Sequence, residues 1–99
     1  MNKGGYVYIM SNKSRSTYYI GVTNNLCARS AQHKSGEGSG FTKKYNCHDL
    51  IYYEFHDCIV AAIAREKQLK KWRRVWKDDL IRSINPDLKD LYDEAKDLT

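Results

Sequence analysis

Residues 6–22 carry the plainest structural signal in the chain: YVYIM at 6–10, SNKSRST at 11–17 and YYIGV at 18–22. Both ends are rich in aromatic and β-branched residues, which suit a pleated, half-buried surface. The middle consists of the small polar residues that turns and loops prefer. The stretch therefore predicts a β-hairpin with a rather long loop.

Side-chain alternation gives this hairpin two distinct faces. Residues two apart in a strand point to the same side, so Tyr8 and Met10 share one face, and Val7 and Ile9 share the other. Tyr19 follows Tyr8 by eleven residues. We expect the phenols of Tyr8 and Tyr19 to line one face of the strand pair.

A short helix and a third strand follow the hairpin. Residues 23–25, TNN, supply good N-cap residues for a helix over residues 26–34, which ends in the glycine-rich residues 35–40. We expect residues 41–45 to be a loop. Residues 49–55, DLIYYEF, have the composition of a strand that pairs with the hairpin. These elements predict an α+β fold with a three-stranded antiparallel sheet flanked by helices.

The second half of the chain has helical periodicity. From residue 58 apolar residues recur at three- and four-residue steps as far as Pro86, which pushes the residue before it out of a helix. Residues 87–99 are expected to form a last short acidic helix or to fray. The positions expected to face the core are Ile59, Ala62, Ile63, Leu69, Trp72, Trp76, Leu80, Ile81 and Ile84.

Length and composition indicate a single domain over residues 1–99, with a core at about 5–86 and an acidic C-terminal segment at 87–99. No window approaches eighteen consecutive apolar residues, and the N-terminus lacks an apolar signal stretch. We therefore expect a cytoplasmic protein without a membrane partner. The three cysteines form no CxxC pair and are odd in number, which suggests neither a zinc site nor a disulfide framework.

Charge is spread unevenly along the chain, whose net charge is +5. Residues 87–99 hold five acids against two lysines, or −3. Residues 1–86 hold 15 Lys and Arg against 7 Asp and Glu, or +8. A positive body of this size favours a polyanionic partner, although solubility alone accounts for it equally well. The acidic segment could contact a protein partner.

Three polar residues stand out on the predicted helices, and each also has an ordinary structural explanation. Arg29 and His33 lie one turn apart on a helix that leaves the strand of Tyr19, although such a pair is commonly a solvated polar face. Glu66 lies at the centre of the apolar stripe, where a buried carboxylate needs a partner or a metal. The ordinary alternative is a glutamate at the edge of the stripe whose carboxylate reaches solvent or pairs with Lys70 at i+4.

Basic residues cluster in two places that suit a nucleic acid. Lys43 and Lys44 lie between Phe41 and Tyr45; lysines bind phosphate as point charges, and aromatic rings stack on unpaired bases. The predicted second-half helix is strongly basic on its other faces. The candidate nucleic-acid-binding residues are Lys43, Lys44, Arg65, Lys70, Arg73 and Arg74.

Taken in order, these residues resemble the GIY-YIG nuclease superfamily, in particular its small single-domain bacterial members. Residues 6–8 occupy the GIY element, and residues 19–21 occupy the YIG element with the expected step between the tyrosines. Arg29 and His33 match the family's helix arginine and a position held by His or Tyr. Glu66 matches the metal-binding glutamate. The resemblance covers roughly residues 5–92.

One further match and two departures complete the comparison with the superfamily. Asn85, followed by Pro86, matches the family's late asparagine, as the loosest of the correspondences. Tyr6 stands where the family has the glycine of GIY, and Val22 stands where some relatives have a lysine. Neither departure removes a catalytic group.

The resemblance implies metal-dependent hydrolysis of a phosphodiester. Glu66 would hold a single Mg²⁺ or Mn²⁺, and one carboxylate suffices because Mg²⁺ keeps waters and takes phosphate oxygens. Arg29 would clamp the phosphate through its planar fork of donors. Tyr8, with Tyr19 beside it, would accept a proton or orient water, and His33 would share in positioning or proton transfer. Asn85 completes the implied catalytic set.

Three functions follow from these observations. The first is a metal-dependent endonuclease on DNA, acting on branched, single-stranded or damaged structures in repair or recombination, with RNA as a further substrate class. The second is a nucleic-acid-binding module with weak or no nuclease activity. The third is an interaction protein that uses its acidic segment. Both nucleic-acid functions predict affinity that falls steeply with salt, and the third does not.

Overall fold

A computed structural model describes residues 4–37 and 40–98 and has an α+β fold. Its sheet contains three antiparallel strands in the order β2-β1-β3: β1 (Gly5–Ser11), β2 (Tyr18–Thr23) and β3 (Asp49–His56). The predicted three-stranded sheet with flanking helices is confirmed. The helices are α1 (Leu26–Lys34), α2 (Gly40–Tyr45), α3 (Ile59–Lys70), α4 (Arg74–Ile84) and α5 (Tyr92–Ala95). Within the described ranges no helix has the length and apolarity needed to cross a bilayer.

Each face of the sheet is covered by its own cluster of apolar side chains. α3 and α4 pack on the face that carries Val7 and Ile9, and α1 and α5 pack on the face that carries Tyr8 and Met10. The predicted division of the hairpin into two faces is therefore confirmed. The first cluster contains Val7, Ile9, Ile20, Ile51, Tyr52, Ala62, Leu69 and Ile81, and the second contains Tyr8, Met10, Leu26, Cys47, Leu50, Leu91 and Ala95.

A bulge in β3 adjusts this strand to both clusters. Ile9 pairs with Tyr52, whereas the next residue, Met10, pairs with Leu50, so Ile51 is an extra residue in β3. An extra residue interrupts the strict alternation of a strand. Ile51 and Tyr52 consequently both belong to the first cluster, while Leu50 belongs to the second.

The acidic C-terminal segment is anchored on the second cluster rather than frayed. Leu91 and Ala95 are buried there, so the packed core reaches beyond residue 86. The Asp90 carboxylate accepts the backbone N–H of Leu50 at 3.0 Å and forms an ion pair with Lys34. The segment thus closes the side of the sheet on which Tyr8 lies.

Three helix residues that the sequence predicted to face the core are exposed instead. Trp76 and Ile84 are 48% and 56% exposed, because α3 ends at Lys70 and α4 begins afresh at Arg74, which resets the helical phase. Ile63 is 37% exposed, since it lies about 100° round the helix from the buried Ala62. Trp72, in the break between the helices, does pack against the first cluster.

The predicted loop at residues 41–45 is also wrong, since these residues belong to α2. Thr42 is the buried residue of this short helix, and Lys43 and Lys44 are exposed on it. Apolar periodicity cannot reveal a helix of six residues whose buried side chain is a threonine.

The register of the hairpin places Tyr8 opposite Gly21. Tyr8 is 1% exposed, and its ring lies directly against the backbone of Gly21. A β-carbon at residue 21 would come within 2.5 Å of Cζ of Tyr8 and closer still to the hydroxyl oxygen. Only glycine therefore leaves space for this phenol.

Gly21→Ala is expected to lower the free energy of unfolding by about 1–3 kcal/mol, because the added methyl group forces the buried Tyr8 ring out of place. The double variant Gly21→Ala with Tyr8→Leu removes the atoms that clash, and should lose less than the sum of the two single changes. Urea unfolding of the four chains measures both quantities. Additive losses would show that Gly21 does not act through Tyr8.

The buried Asn85 ties the end of α4 to β3. Its Nδ2 donates to the carbonyl oxygens of Ile51 and Lys89, each at 2.8 Å, and its Oδ1 accepts the N–H of Lys89 at 3.2 Å. The side chain thus satisfies three backbone groups where the chain turns after the helix. The Asn85 amide therefore stabilises the fold, independently of any catalytic role.

Asn85→Ala is expected to destabilise the fold by about 1–3 kcal/mol, because it leaves these backbone groups without their partner. Ser83→Ala is the control, since Ser83 is an exposed residue near the end of the same helix, and it should change stability by less than about 0.5 kcal/mol. Denaturant unfolding compares them, and equal effects would contradict the structural role of Asn85.

Candidate functional site

Two tyrosines and a histidine meet on the α1 side of the sheet. Tyr8 and Tyr19 come from neighbouring strands, and their ring centroids are 6.4 Å apart. His33, 1% exposed on α1, has its ring 5.6 Å from Tyr8 and 5.7 Å from Tyr19. The expected proximity of the two phenols is confirmed. We call Tyr8, Tyr19 and His33, together with Arg29, the tyrosine cluster.

The local sequence explains why α1 presents these side chains to the sheet. The Asn25 side chain caps the helix by accepting the N–H of Ala28 at 3.0 Å, which fixes the start of α1 as predicted. Leu26 is buried in the second cluster and sets the rotation of the helix. His33, seven residues or about two turns later, lies on the same buried face.

The His33 ring bridges Tyr8 and α2. Its Nε2 lies 3.2 Å from the Tyr8 hydroxyl, and its Nδ1 lies 3.2 Å from Oγ1 of Thr42. Burial lowers the pKa of His33 to about 4, and the charges of Arg29 and His48 add to this effect. The ring is therefore neutral at pH 7. With the single proton on Nδ1, the ring donates to Thr42 and its Nε2 accepts the hydroxyl hydrogen of Tyr8; with the proton on Nε2, both hydrogen bonds run the other way.

Tyr8 is kept protonated in the free protein. Burial raises its pKa to about 12, and Tyr19 adds to this rise. The Arg29 guanidinium opposes the rise through its positive charge and as a hydrogen-bond partner of the phenol. The negative charge of Glu66 raises the pKa further, so this carboxylate is close enough to act on the phenol electrostatically. Cations at this site would therefore lower the pKa of Tyr8.

Glu66 lies on α3 beside the site as a single, mostly buried carboxylate. Its side chain is 13% exposed and pairs with Lys70 Nζ at 2.8 Å, the i,i+4 ion pair considered from the sequence. Within the described ranges there is no group of three His, Cys, Asp or Glu side chains that could hold a metal ion. One carboxylate fits an ion that takes its remaining ligands from water and substrate phosphate, as Mg²⁺ does.

Asn85 and Arg65 contact residues outside the tyrosine cluster. Asn85 makes its hydrogen bonds to backbone groups of Ile51 and Lys89. Arg65 donates to Glu54 at 2.9 Å, and its guanidinium lies 5.2 Å from the Trp72 ring.

The basic residues that follow α3 also make contacts within the fold. The guanidinium of Arg73 lies 5.2 Å from the ring of Trp76. Arg74 lies over the Tyr18 ring at 3.6 Å and donates to the carbonyl of Ser16 at 3.0 Å in the hairpin loop. Part of the predicted basic surface therefore supports the fold as well.

The sequence patterns assigned no individual role to Thr42 or Gly21. Thr42 orients His33 from a helix that apolar periodicity does not reveal. Gly21 belongs to the YIG element, but the reason for glycine there is the three-dimensional approach of the Tyr8 hydroxyl.

The lowered pKa of His33 predicts a pH-dependent stability. Above pH 6.5 the histidine is neutral in both folded and unfolded chains; between pH 6.5 and about 4 only the unfolded chain takes up the proton. The free energy of unfolding should therefore fall through this window by up to about 3 kcal/mol. His33→Gln should have a smaller fall. Urea unfolding from pH 7.5 to 4.5 tests this, and parallel curves would contradict a buried neutral His33.

Comparison with known proteins agrees with this geometry. A sequence model described as the GIY-YIG catalytic domain matches residues 4–79. A UPF0213 protein of Natronomonas pharaonis is 36% identical over 76 residues, covering 77% of this chain and 88% of that protein. A UPF0213 protein of Clostridium perfringens is 40% identical over 78 residues, covering 79% of this chain and 83% of that protein.

A solved structure has the same fold. The solution NMR structure of a UPF0213 protein from Bacillus halodurans aligns with a TM-score of 0.56 at 24% identity, covering 97% of this chain and 98% of that one. The family match includes Tyr8, Tyr19, Arg29, His33 and Glu66, and ends before Asn85. This chain therefore belongs to the GIY-YIG family.

Proposed function

We propose that this protein is a divalent-metal-dependent endonuclease that hydrolyses phosphodiester bonds in DNA. The convergence of Tyr8, Tyr19, His33 and Arg29, with the charge of Glu66 acting on Tyr8, is the observation that carries the proposal. Selectivity for branched, single-stranded or damaged DNA, with a task in repair or recombination, is part of the proposal. The net charge of +8 on residues 1–86 supports a polyanionic substrate.

Glu66 is the residue that would hold Mg²⁺ or Mn²⁺, which when bound stabilises negative charge on phosphoryl oxygens and makes water a stronger acid. The carboxylate is mostly buried, and its partner Lys70 is 53% exposed in its side chain, so Lys70 is free to turn into solvent. Arg29 is exposed on α1, where its planar donors can bind a phosphate.

Tyr8 is held so that its oxygen can receive a proton. In the tautomer whose proton is on Nδ1, Nε2 of the neutral His33 accepts the hydroxyl hydrogen of Tyr8, and the phenol oxygen accepts from Arg29. A phenol oxygen has two lone pairs, so one remains for the water that attacks the phosphate. In this arrangement Tyr8 orients the water and takes its proton while it passes its own hydroxyl proton to Nε2 of the neutral His33, and Thr42 holds the imidazole in position. The Tyr19 ring lies beside the rings of both Tyr8 and His33.

The second candidate function is a binding module with weak or no nuclease activity. A pKa of about 12 for Tyr8 and of about 4 for His33 leaves neither group as a ready acid–base pair near neutral pH in the free protein. The candidate nucleic-acid-binding residues, with Phe41 and Tyr45, would then bind nucleic acid without cleaving it.

A cleavage assay on labelled single-stranded, duplex, flap and branched DNAs and an RNA separates the two candidates. Metal-dependent cleavage by the wild-type chain is expected, with rates reduced about 10²–10³-fold by Arg29→Ala and Tyr8→Phe. Glu66→Gln should lose the response to Mg²⁺ and Mn²⁺, because an amide binds a hard cation weakly. Asp79→Asn is the matched control, an exposed acid on α4 that should keep the wild-type rate.

Binding measured on the same substrates completes the test. Salt-sensitive binding with no cleavage under any metal would favour the binding module. Full metal-dependent cleavage by Glu66→Gln or Arg29→Ala would overturn the residue roles. Circular dichroism of each variant shows whether a lost rate reflects lost folding.

A further inference from the structure

A run of aromatic rings leads outward from the tyrosine cluster. The Phe41 ring lies 5.7 Å from Tyr19, and the Tyr45 ring lies 4.7 Å from Phe41, with interplanar angles of 32° and 41°. Phe41 and Tyr45 are 42% and 43% exposed. We call Tyr19, Phe41 and Tyr45 the aromatic ladder. It extends from beside Tyr8 to the protein surface.

The fold holds the ladder in place without burying it. Phe41 and Tyr45 belong to neither of the two core clusters. They lie on α2, whose buried Thr42 contacts the His33 ring. Thr42 thus connects this short helix to the site, and the helix presents two aromatic rings to solvent. Neighbouring exposed rings form an apolar patch rather than scattered single residues, and such a patch is typical of a binding surface.

The charge around the ladder matches a phosphate backbone. Lys43 and Lys44 lie on α2 beside the rings, and Lys44 Nζ is 5.5 Å from the Tyr45 ring centroid. A groove of about 260 Å³ is lined by Tyr19 and Phe41 together with Lys70 and Lys77. Within the described part of the chain, no acidic residue lines this groove.

We propose that the aromatic ladder stacks an unpaired nucleobase, so that the nucleic acid bound at this site carries an unpaired nucleotide next to the phosphate held by Arg29. This inference rests on the proposed function and adds its substrate class. Aromatic rings bind bases through their faces, which in a duplex are covered by neighbouring base pairs. Lys43 and Lys44 on α2, and Lys70 and Lys77 in the groove, would hold the phosphates that flank the base.

The test measures binding by fluorescence anisotropy in a Glu66→Gln background, so that no cleavage intervenes. The probes are a fully paired DNA duplex, the same duplex with one unpaired nucleotide, and a DNA single strand. We expect the unpaired probes to bind about tenfold more tightly than the duplex. Phe41→Ala and Tyr45→Ala should each remove most of this preference while leaving duplex binding unchanged.

Two controls keep the result specific to stacking. Phe41→Tyr preserves an aromatic face and should keep the preference. Phe55→Ala removes a phenylalanine that is 54% exposed on β3 and packs against Tyr6 rather than the ladder, and it should bind as its parent does. Circular dichroism checks the folding of Phe41→Ala, and Tyr45→Ala provides an independent variant if that chain unfolds.

The outcomes separate this inference from the proposed function. Equal affinity for paired and unpaired probes, or a preference that survives both alanine variants, would overturn the stacking surface even if the wild-type chain cleaves DNA. A preference lost in both variants supports it, even where no probe is cleaved under any metal and the proposed function fails.

Discussion

The close contact between the Tyr8 phenol and the backbone of Gly21 is the constraint on which the rest of the site depends. Tyr8 lies on the central strand, where its ring is buried, and only glycine at its pairing position gives the ring room. Burial of this phenol raises its pKa to about 12 and demands a partner for its hydroxyl group. Nε2 of His33 supplies that partner.

His33 connects this central strand to two helices. The ring is neutral because it is buried, and a neutral imidazole can accept from Tyr8 while it donates to Thr42. One side chain therefore fixes the phenol and also attaches α2, with its exposed rings, to the same site. The division between the buried pair of Tyr8 and His33 and an exposed aromatic and basic surface follows from this arrangement.

Local patterns in the sequence predicted the sheet, the first helix and the position of Tyr8 and Tyr19 on one face, because alternation and capping depend on neighbouring residues. They failed where the outcome depends on distant contacts. The exposure of Trp76 follows from a break after Lys70 that no proline or glycine marks. The contact of Thr42 with His33 and the role of Gly21 likewise require the folded arrangement.

The protonation state of Tyr8 is the most direct test of this account. Tyrosines labelled with ¹³C at Cζ change chemical shift when they ionise, and Tyr8→Phe identifies the signal of Tyr8. With a pKa of about 12, the Tyr8 signal should remain almost entirely that of a protonated phenol at pH 11, with folding verified by circular dichroism. A free phenol, with a pKa of about 10, is largely ionised there. A Tyr8 signal that titrates near pH 10 in the folded protein would contradict the buried, histidine-bound phenol.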